Sequence, residues 1–129
     1  MRKALISQKL PKPAFKYSQL TQVGAHYYTS GLLGQDRQTG KLSGATPGEE
    51  AATILENMQV LMAEFGLGFE HLAMARIFTT RMDKFAEINT AWEAVFTHIN
   101  EAPPARTSVG VAALPLGATV EMEFTFYKE

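Results

Sequence analysis

Near the end of the chain, Val120, Met122, Phe124 and Phe126 alternate with Thr119, Glu121, Glu123 and Thr125. This period of two belongs to a strand with one apolar and one polar face. Such a strand is stable only when another layer covers its apolar side, and the chain carries two segments suited to that task.

The first begins at TPGEE, where Thr46 can cap, Pro47 takes the first helical position and Glu49 completes a capping box. Ala51, Leu55, Met58, Met62 and Phe65 follow as one apolar stripe, widened by Ile54 and Leu61, and Gly66 is placed to end it. The second runs from about Asp83 to Ile99, with Phe85, Ile88, Trp92, Val95, Phe96 and Ile99 as its stripe; Pro103 and Pro104 forbid continuation. Strand patterns occupy residues 3–8, 17–23, 25–31 and 71–80, and two last strands are joined around Leu114 to Gly117. This order predicts an α+β sandwich: one mixed sheet of roughly six strands with both helices packed on one face. No linker or repeat divides residues 1–129, so a single domain is expected.

Charge narrows the partners. Twelve Lys and Arg against thirteen Asp and Glu leave a net charge of −1, so there is no general positive field for a phosphate backbone and no nucleic-acid partner is expected. The chain has no cysteine, which excludes disulfides, thiol nucleophiles and Cys-ligated zinc. His26, His71 and His98 share no metal-binding spacing, so no metal is expected. The apolar run Ala4-Leu5-Ile6 is too short for a signal-peptide core, and no segment reaches membrane-spanning length, so a cytoplasmic location is expected.

The sheet's second face holds the chemistry. If the last two strands pair through the turn at Pro115, Thr107, Val109 and Val111 face the helices, while Arg106, Ser108, Gly110, Glu121 and Glu123 share the outer side. Ser108, Gly110 and Ala112 are small and suit close approach by another surface, so a homo-oligomer with clefts at its subunit boundaries is expected. Arg106 follows two prolines, and its planar fork suits a carboxylate or phosphate; it would serve equally as an interface salt bridge to Glu123 or to a neighbour's acid. Glu121 sits between Val120 and Met122, where partial desolvation would make it a proton acceptor for water, or it is a solubilising charge on an amphipathic strand. Asn89 lies on the apolar stripe of the second helix, where its amide must bond backbone or reach a cleft. The stretch Gly34 to Lys41 lacks the spacing and the Ser or Thr of a phosphate-binding loop.

PPARTSVGVAALPLGATVEME resembles the C-terminal signature of the Rid family, the reactive-intermediate deaminases also called RidA or YjgF-like proteins: Pro-Ala-Arg, a small pair, a valine, then Leu-Pro and Val-Glu-Met. Tyr17-Ser18-Gln19, Thr29-Ser30-Gly31, the Asp36 to Gly40 turn, the first helix and Asn89 through Phe96 fall where that family has similar segments. The resemblance implies a chorismate-mutase-like fold assembled as a homotrimer with three clefts between subunits. It also implies hydrolysis of enamines and imines such as 2-aminoacrylate to 2-oxo acids and ammonia, without metal or organic cofactor. Arg106 matches the carboxylate-binding arginine, Glu121 the glutamate that handles water, and Tyr17, Ser30, Gly31, Asn89 and Ser108 match cleft positions. The chain departs from the family in having Phe15-Lys16 where Gly-Pro often precedes the tyrosine, Ser108 where many relatives carry cysteine, and Leu33-Gly34 for a more typical Ile-Pro. Two other functions remain open: a sensor that binds 2-oxo acids or other small carboxylates without turnover, and an endoribonuclease or translation inhibitor.

Overall fold

The structure is a computed structural model that describes all residues, Met1–Glu129. Its strands are β1 (Lys3–Leu5), β2 (Leu20–Val23), β3 (His26–Thr29), β4 (Leu32–Leu33), β5 (Leu72–Thr79), β6 (Ala105–Gly110) and β7 (Val120–Tyr127). They form one sheet in the order β1-β2-β3-β7-β5-β6, with β4 also paired to β7. The helices are α1 (Pro47–Glu64) and α2 (Phe85–Phe96).

Helix α1 forms as its sequence dictates. The Thr46 hydroxyl accepts the Glu49 amide at 3.1 Å, and the Glu49 carboxylate reaches back to the Ala45 amide at 2.7 Å. Gly66, at φ 69°, follows the last turn. Ala51, Ile54, Leu55, Met58, Leu61 and Met62 are buried on β7 and β4. Helix α2 is shorter than its stripe predicts, because Met82–Lys84 forms a separate turn of 3-10 helix and the α-helix ends at Phe96. Both helices lie on one side of the sheet, over Val120, Met122, Phe124 and Phe126, all essentially inaccessible. Each such side chain contributes roughly 1.5–3 kcal/mol by leaving water.

The pairing of the last two strands differs from the sequence expectation. β6 and β7 are not neighbours: β5 lies between them, parallel to β6 and antiparallel to β7. The Val111 amide bonds the Thr79 carbonyl and the Thr80 amide bonds the Thr119 carbonyl, so the connection containing the Pro115–Gly117 turn arches over the end of β5. A short connection with turn composition is what a hairpin also has. The distinguishing fact is that β5 has two open edges and α2 supplies the crossover a parallel β5–β6 pair requires.

This register reverses the face of β6. Ala75, Ile77 and Thr79 of β5 oppose Arg106, Ser108 and Gly110 on one side and Phe124, Met122 and Val120 on the other. Arg106, Ser108 and Gly110 therefore lie on the helix side of the sheet, and Thr107 and Val109 on the outer side with Glu121 and Glu123.

β3 ends at Thr29 and the short β4 resumes after a break at Ser30-Gly31, whereas the sequence pattern predicts one strand over 25–31 that stops at Gly31. The buried Thr29 hydroxyl takes the Phe124 amide at 3.0 Å, replacing a ladder bond where the backbone steps aside.

Candidate functional site

The residues nominated by the sequence fall into two groups on opposite faces of the sheet. On the helix side, at the β6 edge, stand Arg106, Ser108 and Asn89. The Arg106 guanidinium lies 5.1 Å from the centre of the Trp92 ring and 5.5 Å from that of Phe85. Asn89 is four residues after Phe85 and three before Trp92, so the same face of α2 presents all three. The ion pairs of the chain join Arg37 to Glu56, Arg76 to Glu123, Arg81 to Asp83 and Lys84 to Glu87, and none uses Arg106. Glu123 is thus not its partner: it lies on the far face, with Arg76 at 3.3 Å. Arg106 is a half-buried cation steered by two aromatic rings, with its fork of donors left for something outside the chain. Asn89 is half-buried rather than buried, and its amide bonds no group of the chain.

On the outer face a cleft of about 430 Å³ is lined by Tyr17, Ser30, Gly31 and Glu121, with Pro11, Lys12, Ala14, Phe15, Leu33, Gln35, Pro115 and Leu116 completing its walls. Tyr17 is 54% exposed, and its amide donates to the Phe15 carbonyl at 3.0 Å, which fixes the segment that carries both rings. The break between β3 and β4 brings Gly31 under the Glu121 side chain. A Cβ on Gly31 would stand 2.6 Å from Glu121 Oε2 and 2.7 Å from its carboxyl carbon. Glycine is needed here for close approach, not for a special backbone angle. Gly31→Ala is expected to leave the fold intact and push the flexible carboxylate aside. In a reaction that uses this carboxylate, a displacement of about 1 Å would lower kcat about a hundredfold, read as turnover of the variant beside that of the parent.

Desolvation raises the pKa of Glu121 above the usual carboxylate range, and the charge of Glu123 raises it further. No donor within the chain offsets either effect. Because the folded value is raised, ionising Glu121 opposes folding: its favourable contribution is present below the unfolded pKa and lost as pH rises through the folded one. In a reaction that uses the carboxylate as base, the acid limb of the rate profile therefore lies above the ordinary glutamate range. Glu123→Gln removes the like charge and frees the Arg76 cation on the same face, so that limb is expected to shift to lower pH. A log kcat/KM profile from pH 4 to 8 reads the shift; an unmoved limb would assign it to another group.

The sequence did not single out the parts that position these groups. Glu50, 6% exposed, accepts the Thr119 amide at 2.9 Å and the Thr119 hydroxyl at 2.5 Å, tying α1 to the chain two residues before Glu121. Thr79 Oγ1 donates to the Thr119 carbonyl at 2.7 Å from the other side. Phe85 and Trp92 read from the sequence as plain core residues; their spacing around Asn89 was the available signal. Leu116 carried none, because its left-handed backbone, φ 60° and ψ 16°, is not a leucine preference. No cluster of three or more His, Asp or Glu side chains is arranged to hold a metal ion. No helix is long and apolar enough to cross a membrane.

A sheet with two helices on one face, a lone arginine at its edge and a glutamate over a glycine on its far face define a recognisable class. The profile of the Endoribonuclease L-PSP family matches residues 7–127, and the chain belongs to that family, also called YjgF/RidA. It is 37% identical to protein DfrA of Myxococcus xanthus over 124 residues, covering 95% of this chain and 92% of that protein. It is 32% identical to the 2-iminobutanoate/2-iminopropanoate deaminase of Mus musculus over 123 residues, covering 95% of this chain and 89% of that one. The crystal structure of E. coli TdcF with bound serine superposes with a TM-score of 0.90 at 28% identity, covering 98% and 99% of the two chains.

Proposed function

We propose that the protein hydrolyses reactive enamines and imines of the 2-aminoacrylate and 2-iminopropanoate type to 2-oxo acids and ammonia, in clefts between the subunits of a homotrimer. The observation that carries this reading is the separation of two unsatisfied groups. Arg106 has no anionic partner and Glu121 has no donor, and they lie on opposite faces of one sheet. A single copy cannot bring them to one small molecule, whereas a second copy that lays its β6 edge across the Glu121 cleft would. The relative named as a 2-iminobutanoate/2-iminopropanoate deaminase supports the reaction, and the neighbour holding serine supports a ligand of amino-acid size.

The chemistry asks little of the protein. The imine carbon is already electrophilic, so catalysis consists of fixing the carboxylate, placing water and moving protons. Arg106 holds the substrate carboxylate through both arms of its fork. Glu121 takes a proton from the water as its oxygen bonds to the imine carbon, and the protonated imine nitrogen accepts the electron pair of the C=N bond. Protonated Glu121 then gives its proton to the amine nitrogen and takes the hydroxyl proton as the C=O bond closes and the C–N bond breaks, and the departing ammonia carries that last proton away as ammonium, which restores the carboxylate. Tyr17, Ser30, Asn89 and Ser108 supply hydrogen bonds around the water and substrate. No step draws on a metal or organic cofactor.

An amino-acid dehydratase that forms the imine in situ, with 2-oxo acid release timed with and without this protein, tests the proposal directly. Faster release is expected; unchanged release alongside saturable binding of a 2-oxo acid would favour a carboxylate sensor instead. RNA cleavage, which the name of the matching family includes, has less support: the net charge is −1, so no general positive field draws a phosphate backbone. Like the family fold, a cytoplasmic setting fits this chemistry.

A further inference from the structure

Resting on the reading above, we propose that this cleft selects 2-imino acids with an apolar side chain larger than methyl, branched aliphatic or aromatic, and that Phe15 and Leu116 are the residues that set the preference. Phe15 is 83% exposed and Leu116 65% exposed, and both line the cleft that holds Glu121. Large apolar side chains in water gain only when something apolar covers them. Each is also held in place. The Tyr17 amide bonds the Phe15 carbonyl, and Pro11 and Pro13 stiffen the approach to that turn. Leu116 occupies the left-handed region, followed by Gly117 at φ 70°. A glycine or asparagine would take that backbone more easily, and the exposed leucine packs into no core, so its backbone strain is unexplained by folding.

The position of this wall fits a substrate's side chain. The carboxylate is directed to Arg106 on the other copy's β6 edge and the reacting carbon to Glu121, which leaves the third substituent toward the Phe15 and Leu116 side. Lys12 is the one cation on the wall. It makes a substrate with a second carboxylate the competing choice, and the assay includes one for that reason.

The test compares kcat/KM for the imines of alanine, leucine, phenylalanine and glutamate, generated in situ by amino-acid oxidases with catalase present. In parallel, calorimetry measures binding of pyruvate, 4-methyl-2-oxopentanoate and 2-oxoglutarate, which reads the side-chain preference without turnover. The leucine imine is expected to exceed the alanine imine by about 10- to 200-fold, the discrimination that added methylenes give in an apolar pocket. Phe15→Ala and Leu116→Gly are each expected to bring that ratio toward one. Leu116→Gly relieves the backbone and so keeps the fold, and light scattering checks assembly in both variants. Equal rates for alanine and leucine imines, a preference for the glutamate imine, or ratios unmoved in the variants would overturn the inference. So would loss of assembly in the variants, which would make these side chains subunit contacts. If no imine is accelerated, the reaction assignment fails on its own, and the 2-oxo acid affinities still uphold or overturn the side-chain preference.

Discussion

Arg106→Ala is expected to lower kcat/KM for 2-iminopropanoate by roughly 30- to several-thousand-fold, the 2–5 kcal/mol that follows loss of one partner from a desolvated charge pair. The loss should appear largely in binding, because the carboxylate is held in ground and transition states alike. Arg106→Lys should rescue little, since one ammonium cannot reproduce a two-armed contact or the stacking on Trp92 and Phe85. Stability should fall by only about 0.5–2 kcal/mol, the worth of the lost cation–π contacts. A folded, assembled Arg106→Ala protein with full kcat/KM would remove Arg106 from the site.

Glu121→Gln should divide the parameters differently. The amide keeps the shape over Gly31 but cannot take a proton, so kcat is expected to fall by about a hundred- to ten-thousand-fold with 2-oxo acid affinity nearly unchanged. Loss of both in parallel would instead make Glu121 a structural wall. The two variants also report on each other. If each cleft draws Arg106 and Glu121 from different copies, trimers co-refolded from equal amounts of Arg106→Ala and Glu121→Gln chains regain intact clefts, about a quarter of the total by random association. Activity that stayed at the level of the parents would mean that one copy supplies both residues.

Much of this was readable from the residues. The period of two in β7 and the stripe of α1 are periodic over many residues and lie in the most buried layer, so local pattern and tertiary packing agree. The Thr46 cap and the Gly66 stop are likewise local and were placed correctly. Strand partnership was not legible. Composition marks the chain between Gly110 and Val120 as a turn but says nothing of whether it stays beside its own strand or crosses the end of β5, which is decided by contacts with Thr79 and Thr80 far away in sequence. That single ambiguity put Arg106 on the wrong face. The break at Ser30-Gly31 was hidden for a related reason: the hydroxyl of Thr29 substitutes for a ladder bond to Phe124, a partner 95 residues distant. The sequence nominated these side chains without their arrangement, since arrangement depends on β5 inserting between β6 and β7.

That insertion carries a consequence for regulation by abundance. If copies share each cleft in the way proposed, a properly folded but solitary chain would hold half of each apparatus, and specific activity would decline on dilution below the dissociation constant of the assembly. By mass action the converse follows, and a 2-oxo acid bridging two copies would tighten their association as its concentration rises.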